Sequence, residues 1–254
     1  GLNGTPSTRV ENACAASGVA LRQAVTSIRA GVSDIAVAGG VEIMTYMSGE
    51  QTRYWLGVSG ETEWERMAGT TFAGVYAQMA SAHMDEYDTT REHLSRVAAK
   101  NHGNGSKNPH AHLGFNCSLE DAMEAATIAD PLNLYDCCPT SDGASVAILA
   151  SRETAEELTD SPVRITGSGQ ASGTVGLFQR PTITGIPATT KAAEQAYEEA
   201  DVEAKDIDFA EVHDCFSIAE LMAYEDLGFC EKGEAGPYIA SGATEPDGER
   251  PVNL

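Results

Sequence analysis

Basic residues are scarce in this sequence. Sixteen lysines and arginines stand against 38 aspartates and glutamates, a formal net charge of -22, and this balance excludes a general affinity for nucleic acid or for an anionic membrane surface. Long apolar runs are also missing. No uninterrupted stretch approaches the roughly 18 residues of a membrane-spanning helix, and no charged-then-apolar leader opens the sequence, so the expectation is a cytoplasmic protein. The six cysteines have no regular spacing, and two are adjacent at Cys137 and Cys138. That pattern is no disulfide framework and fits a reducing compartment. An acid-rich, lysine-poor surface also suggests a salt-adapted organism, in which dense counterions screen the self-repulsion of the chain.

What is present is the material of a packed core: 42% hydrophobic residues and 25 glycines in 254 residues, enough for one large domain or two moderate ones. The stretch from Val10 to Thr45 organises the rest. Cys14 follows a short extended run and precedes Ala15, Ala16, Ser17 and Gly18, residues small enough for a tightly packed helix start. Apolar residues recur at Val19, Ala20, Ala24, Val25 and Ile28 with the period of a helix that buries one face, and Gly31 falls where a left-handed cap ends it. Ile35 to Ala38 then reads as a short strand covered on both faces. Cys14 is thereby placed at a helix N-terminus. An unperturbed thiol has a pKa of about 8.5, and the positive end of a helix favours the thiolate. A thiolate there can attack a carbonyl, and the unpaired N–H groups of the first turn can receive the developing oxyanion. Acyl transfer is the matching reaction class.

Further along, two helices are legible, Thr71 to Tyr87 and Thr89 to His102, the second opening on a Thr89-to-Glu92 capping-box pattern. Asn101 to Gly105 and Asn108-Pro109 read as a loop, and Ser118 to Ala125 as a short capped helix. His102, His110 and His112 precede Cys117, but no pair has the tight spacing of a zinc motif, so the reading is no metal. Val146 to Leu149 reads as a buried strand, Glu153 to Pro162 as a charged boundary, and Val163 to Gly167 as the first strand of a second half. A helix from Thr190 to Ala200 follows, then a strand from Asp206 to Val212 running into His213-Asp214-Cys215-Phe216, then a helix from about Ser217 to Leu227 stopped at Gly228. Strand, reactive group and helix thus occur twice.

Val10 to Gly18 (VENACAASG), Gly39 to Thr45 (GGVEIMT), Ser141 to Ala144 (SDGA) and His213 to Phe216 (HDCF) resemble four successive signatures of the thiolases. The fourth is similar to that of the sterol carrier protein-type and archaeal acetyl-CoA acetyltransferase branch. The resemblance implies an α/β thiolase fold: a duplicated α-β-α-β-α layered architecture with a helical loop domain inserted in the first half. Residues 1–45 would hold the nucleophile, 46–125 the loop domain, 126–158 the return of the N-terminal domain and 159–254 the C-terminal domain. It implies Cys14 as nucleophile, His213 as a donor to the thioester oxygen or a catalytic water, and Cys215 as the acid/base at the substrate α-carbon. Cys137 and Cys138 are read as packing.

The implied substrate is an acyl-CoA with coenzyme A as the second thiol, and no further cofactor. The few basic side chains are then expected where the anionic coenzyme lies. A homodimer or homotetramer is implied, with hydroxymethylglutaryl-CoA synthase and a small acyl-CoA-binding protein as partners if the source is a salt-adapted archaeon making acetoacetyl-CoA for isoprenoids through the mevalonate pathway. Relative to the family pattern the sequence reads as a fragment. The expected N-terminal strands and the Gly-His-Pro histidine that would activate Cys14 are not in it, so the chain alone is expected to be crippled, a positioned base being worth about 10²- to 10⁴-fold. Two other readings share parts of the pattern: a β-ketoacyl or hydroxymethylglutaryl-CoA synthase-like condensing enzyme, and a noncatalytic acyl-CoA- or lipid-binding homologue.

Overall fold

The computed structural model describes residues 3–254. In chain order the first elements are α1 (Ala16–Arg29), β1 (Ile35–Glu42), α2 (Gly49–Val58), α3 (Phe72–Tyr87) and α4 (Arg91–Gly105). Next come α5 (Leu119–Glu124), β2 (Thr127–Ala129), β3 (Leu132–Asn133), β4 (Gly143–Ala150) and α6 (Arg152–Leu158). The last are α7 (Pro187–Ala200), α8 (Ser217–Asp226) and α9 (Ala235–Ala240). They form two compact units, one from the residues up to Ser48 with Thr140–Ser168, the other from Gly49–Pro139 with Gly169–Leu254. No helix among the described residues is long and apolar enough to cross a membrane.

In the first unit, α1 packs Ala24 and Val25, with Leu21 and Ile28 beside them, on Ala38 of β1 and Leu149 of β4. Gly31 adopts φ +69° just past the helix, where a left-handed residue closes the turn. β1 and β4 pair antiparallel in unbroken register from Ile35 opposite Ala150 to Glu42 opposite Gly143. The expectation of a strand covered on both faces is not met. Successive side chains on a strand point to opposite faces; α1 covers the face of Ala38, while Val37, Val41, Val146 and Ile148 on the other are 53%, 73%, 64% and 73% exposed.

The second unit is built around α8. From Ser217 to Met222 every residue of this helix is buried, and its apolar side chains join Met79 of α3, Leu94 and Val97 of α4, Leu132, Ile239 of α9 and Val252 in one core. At roughly 1.5–3 kcal/mol per fully buried large apolar side chain, this cluster is the main driving force for the unit.

The helices fall near their expected positions, with instructive differences. Thr71 caps α3 through its hydroxyl, and Ser118 caps α5 in a capping box with Asp121. The cap of α4 is Thr90 with His93, not Thr89 with Glu92. The reason is that the Thr89 hydroxyl is buried against His83 Nδ1, 2.8 Å away. The loop expected from Asn101 is helix as far as Gly105, because Asn101 and Asn104 have tertiary partners that hold the last turn: Asp214 and Glu220 for the first, the Asn253 carbonyl for the second. Glu153 to Leu158 is helical within α6, capped by Ser151.

The two strands expected in the second half do not form ladders. Val163 is 95% exposed and pairs with nothing in a sheet. The segment to Val212 makes one parallel bridge, Ala210 with Val252, through Ala210 N–H to the Pro251 carbonyl and Asn253 N–H to the Ala210 carbonyl, both 3.0 Å. Asp206 ends a 3-10 turn, so the extended run begins too late to pair further.

Candidate active site

Two turns carry the residues singled out by the sequence. The first unit holds Cys14 and the second holds His213 and Cys215. Cys14 is exposed and sits in a single 3-10 turn, Ala13–Ala15, that runs directly into α1. Ala13 has φ +47°, the left-handed region that costs a residue with a Cβ about 1 kcal/mol or more. Glu11 helps hold this turn, accepting the Ala13 N–H at 2.8 Å.

The second and third sequence signatures meet in the same unit. Asp142 of Ser-Asp-Gly-Ala accepts the backbone N–H of Met44 at 2.7 Å and of Thr45 at 2.9 Å, and its second oxygen takes the Thr45 hydroxyl at 2.6 Å. One carboxylate thus closes the ends of Gly39–Thr45 and Ser141–Ala144, which lie a hundred residues apart in sequence. Gly40 in β1 lies under Ser17 of α1. A Cβ on it would be 2.1 Å from Ser17 Oγ, so glycine leaves the Ser17 hydroxyl its place where the strand passes the helix start.

In the second unit His213 and Asp214 are exposed, Cys215 is half-buried and Phe216 is buried with its ring stacked on Tyr76 at 4.5 Å. Cys215 lies two residues before the first residue of α8, as Cys14 lies two before the first of α1. Aligned peptide dipoles favour negative charge at both positions. The turn is clamped from one side by Cys137, which bridges Phe216, and by the Cys138 N–H, which donates to the Cys215 carbonyl at 3.0 Å. Buried Asp136 takes the Ser217 hydroxyl at 2.9 Å and pairs with Arg91 at 2.6 Å; burial pushes its carboxyl up, against the pull of the guanidinium. On the other side Glu220, Lys100, Asn101 and Asn253 form a hydrogen-bonded group.

Of the remaining cysteines, Cys117 is buried and Cys137 and Cys230 are half-buried, while Cys138, expected to be a packing residue, is exposed. Burial pushes the thiols of Cys137 and Cys230 up to about 12, and that of buried Cys117 also upward. Cys137 Sγ donates to the Asn133 carbonyl at 3.4 Å. His102 is on α4 and not in a loop. Its ring lies 4.7 Å from that of Phe115 and 5.4 Å from that of Tyr135, and burial lowers its pKa. His110 and His112 are exposed. Sequence reasoning missed Asp142, Glu220, Lys100 and the two asparagines. Two of them carry a visible signal: Asp142 lies inside the Ser141–Ala144 signature, and Glu220 is a carboxylate inside the apolar run Ile218-Ala219-Leu221-Met222.

The chain has both halves of one enzyme architecture: residues 1–153 match the thiolase N-terminal domain and residues 169–254 the thiolase C-terminal domain-like family. It belongs to the thiolase family. Over 253 residues it is 47% identical to the acetyl-CoA acetyltransferase of Methanothermobacter thermautotrophicus, covering 100% of this chain and 66% of that protein. Sterol carrier protein 2 of Bos taurus is 30% identical over 275 residues, 100% of this chain and 49% of that one. Among solved structures, the Ltp2-ChsH2(DUF35) aldolase superposes with a TM-score of 0.82 at 30% identity, covering 94% of this chain and 63% of that chain. The chain therefore spans just under two thirds of the archaeal relative and about half of the bovine one.

Proposed function

We propose that the protein containing this chain is a thiolase-type acyltransferase acting on acyl-CoA, with acetyl-CoA C-acetyltransferase the specific activity. The observation that carries the reading is the family match joined to the repeated geometry, a cysteine two residues before a helix in each unit.

In this reading the two cysteines divide the chemistry between them. Cys14 thiolate adds to the thioester carbonyl carbon of acetyl-CoA, and the negative charge moves to the carbonyl oxygen, where first-turn N–H groups are suited to donate. Collapse breaks the carbon–sulfur bond to coenzyme A, whose thiolate takes a proton from Cys215, leaving acetyl on Cys14. Cys215 thiolate then removes a proton from the methyl group of a second acetyl-CoA, with His213 in the proposed role of donor to that substrate's thioester oxygen. The resulting carbanion attacks the acetyl-Cys14 carbonyl, a carbon–carbon bond forms, and Cys14 departs as thiolate. Acetoacetyl-CoA is the product, and the reverse sequence with coenzyme A as nucleophile is thiolysis.

The 44–47% identity to two archaeal acetyl-CoA acetyltransferases supports the acetyl substrate. Within this reading we place the protein in the cytoplasm of an acid-rich, salt-adapted archaeon, as a homo-oligomer that supplies hydroxymethylglutaryl-CoA synthase. The structural similarity to an aldolase favours a second reading, carbon–carbon cleavage with no acyl-enzyme. Incubating the complete protein with acetyl-CoA and mapping acetyl groups by mass spectrometry separates the two: acetyl on Cys14 supports acyl transfer, and an unmodified Cys14 with cleavage of a β-hydroxyacyl-CoA supports the aldolase.

A further inference from the structure

His213 is flanked on both sides by residues tied to one buried carboxylate. Val212 donates its backbone N–H to Asn253 Oδ1 at 2.8 Å, and Asp214 Oδ2 accepts from Asn101 Nδ2 at 2.7 Å. Both asparagines turn their amide nitrogen to the same atom, Glu220 Oε2, at 2.8 Å from Asn253 and 2.6 Å from Asn101. The other oxygen, Oε1, pairs with Lys100 Nζ at 2.9 Å and receives the Tyr224 hydroxyl. Lys100 is held in turn by Asn101 Oδ1 and the Val252 carbonyl. Both charged side chains are fully buried.

Stability alone does not account for this group. A buried ion pair is commonly no more stable than apolar residues of the same volume, and here it interrupts the apolar run of α8. What a carboxylate adds is direction: one oxygen can accept two donors at fixed angles, which no apolar side chain can do. Asn253 holds a backbone φ of +56°, a left-handed conformation that asparagine tolerates better than most residues, and that conformation lets its side chain reach Val212 and Glu220 together.

We propose that Glu220 is the positioning residue of the His213–Cys215 turn, acting through Asn253 on Val212 and through Asn101 on Asp214. The proposal rests on the acyl-transfer reading for its kinetic consequence and on geometry alone for its structural one. Groups that act on a transition state must be held to within about 0.5 Å. Loosening the turn therefore lowers removal of the methyl proton, the step that uses Cys215 as base and His213 as donor, more than it lowers acylation of Cys14, in which Cys215 serves only to protonate the departing coenzyme A.

The test uses the complete protein and three variants. In N253G, glycine adopts the left-handed φ without strain, so only the amide is lost; N101A removes the other arm; E220Q removes the shared charge. Two readouts are taken: amide hydrogen exchange at Val212, and exchange of acetyl-CoA methyl protons with deuterated water compared with acetyl yield on Cys14. The expected result is Val212 exchange at least about 10-fold faster in E220Q, which does not touch Val212, and in N253G. Methyl-proton exchange falls about 10-fold or more in N253G and N101A, with KM and acetyl-Cys14 yield kept. Wild-type methyl exchange in both asparagine variants overturns the proposal, as does an equal loss of Cys14 acetylation. If E220Q does not fold because Lys100 is left unpaired, the two asparagine variants decide. If wild-type Cys14 is never acetylated, the acyl-transfer reading fails, and Val212 exchange decides the positioning claim: faster exchange in the variants supports it and unchanged exchange overturns it.

Discussion

Gly40 and Ser17 are pressed together so closely that a Cβ on the glycine would lie 2.1 Å from the serine hydroxyl oxygen. The contact joins the strand that carries Gly39–Thr45 to the first turn of the helix that follows Cys14. Gly40→Ala must turn the Ser17 hydroxyl to another rotamer and shift its Cβ, 3.3 Å from the added methyl, by a few tenths of an ångström, at a cost of about 1–3 kcal/mol. Acetyl-Cys14 formation by the complete protein should fall at least about 10-fold, since a misplacement of about 1 Å can lower a rate 10²-fold. Combining it with Ser17→Gly, which empties the space, should recover part of the loss.

Asp142 ties two sequence signatures by three hydrogen bonds to Met44 and Thr45. In Asp142→Ala the amides of Met44 and Thr45 lose their acceptor. Their hydrogen exchange should accelerate about 10-fold or more, while amides in the middle of β1, paired with β4, keep wild-type rates.

Lys100 and Glu220 are a fully buried pair. Lys100→Met leaves an uncompensated carboxylate and should destabilise by about 3–5 kcal/mol, whereas Lys100→Met with Glu220→Leu should cost much less than the sum of the single changes. A double-mutant cycle in urea measures the difference.

Two thiols make stability depend on alkaline pH. Cys137 and Cys230 are pushed up from about 9 to about 12 by burial, so the folded state keeps them protonated while the unfolded chain ionises. Their contribution is complete below pH 9 and is lost as pH rises through 9 toward 12. The urea midpoint should fall over that range, and Cys137→Ala with Cys230→Ala should flatten the decline. At pH 8 iodoacetamide should label the exposed Cys14 and Cys138 well ahead of these two.

Much of the layout was legible in the sequence. Apolar periodicity marked α1 and α3, and Gly31 and Gly228, at φ +69° and +76°, end helices where their chemistry says they should. Four motifs pointed to the family. What failed did so for tertiary reasons. Thr89 looked like a cap, but its hydroxyl is claimed by His83. Asn101 to Gly105 looked like a loop, but Asn101 and Asn104 are bonded to distant residues. Asp206 to Val212 has strand composition, but among the described residues it forms a β-bridge only at Ala210. The group around Glu220 was invisible because it joins residues 100, 101, 220 and 253, and local pattern carries no information on such pairings.

The central claim is that Cys14 becomes acylated. The direct measurement is mass spectrometry of peptides from the complete protein after brief incubation with acetyl-CoA, with Cys14→Ala alongside. An acetyl group on the Cys14 peptide, and loss of coenzyme A release in the variant, is the predicted result. Wild-type turnover by Cys14→Ala would contradict the account.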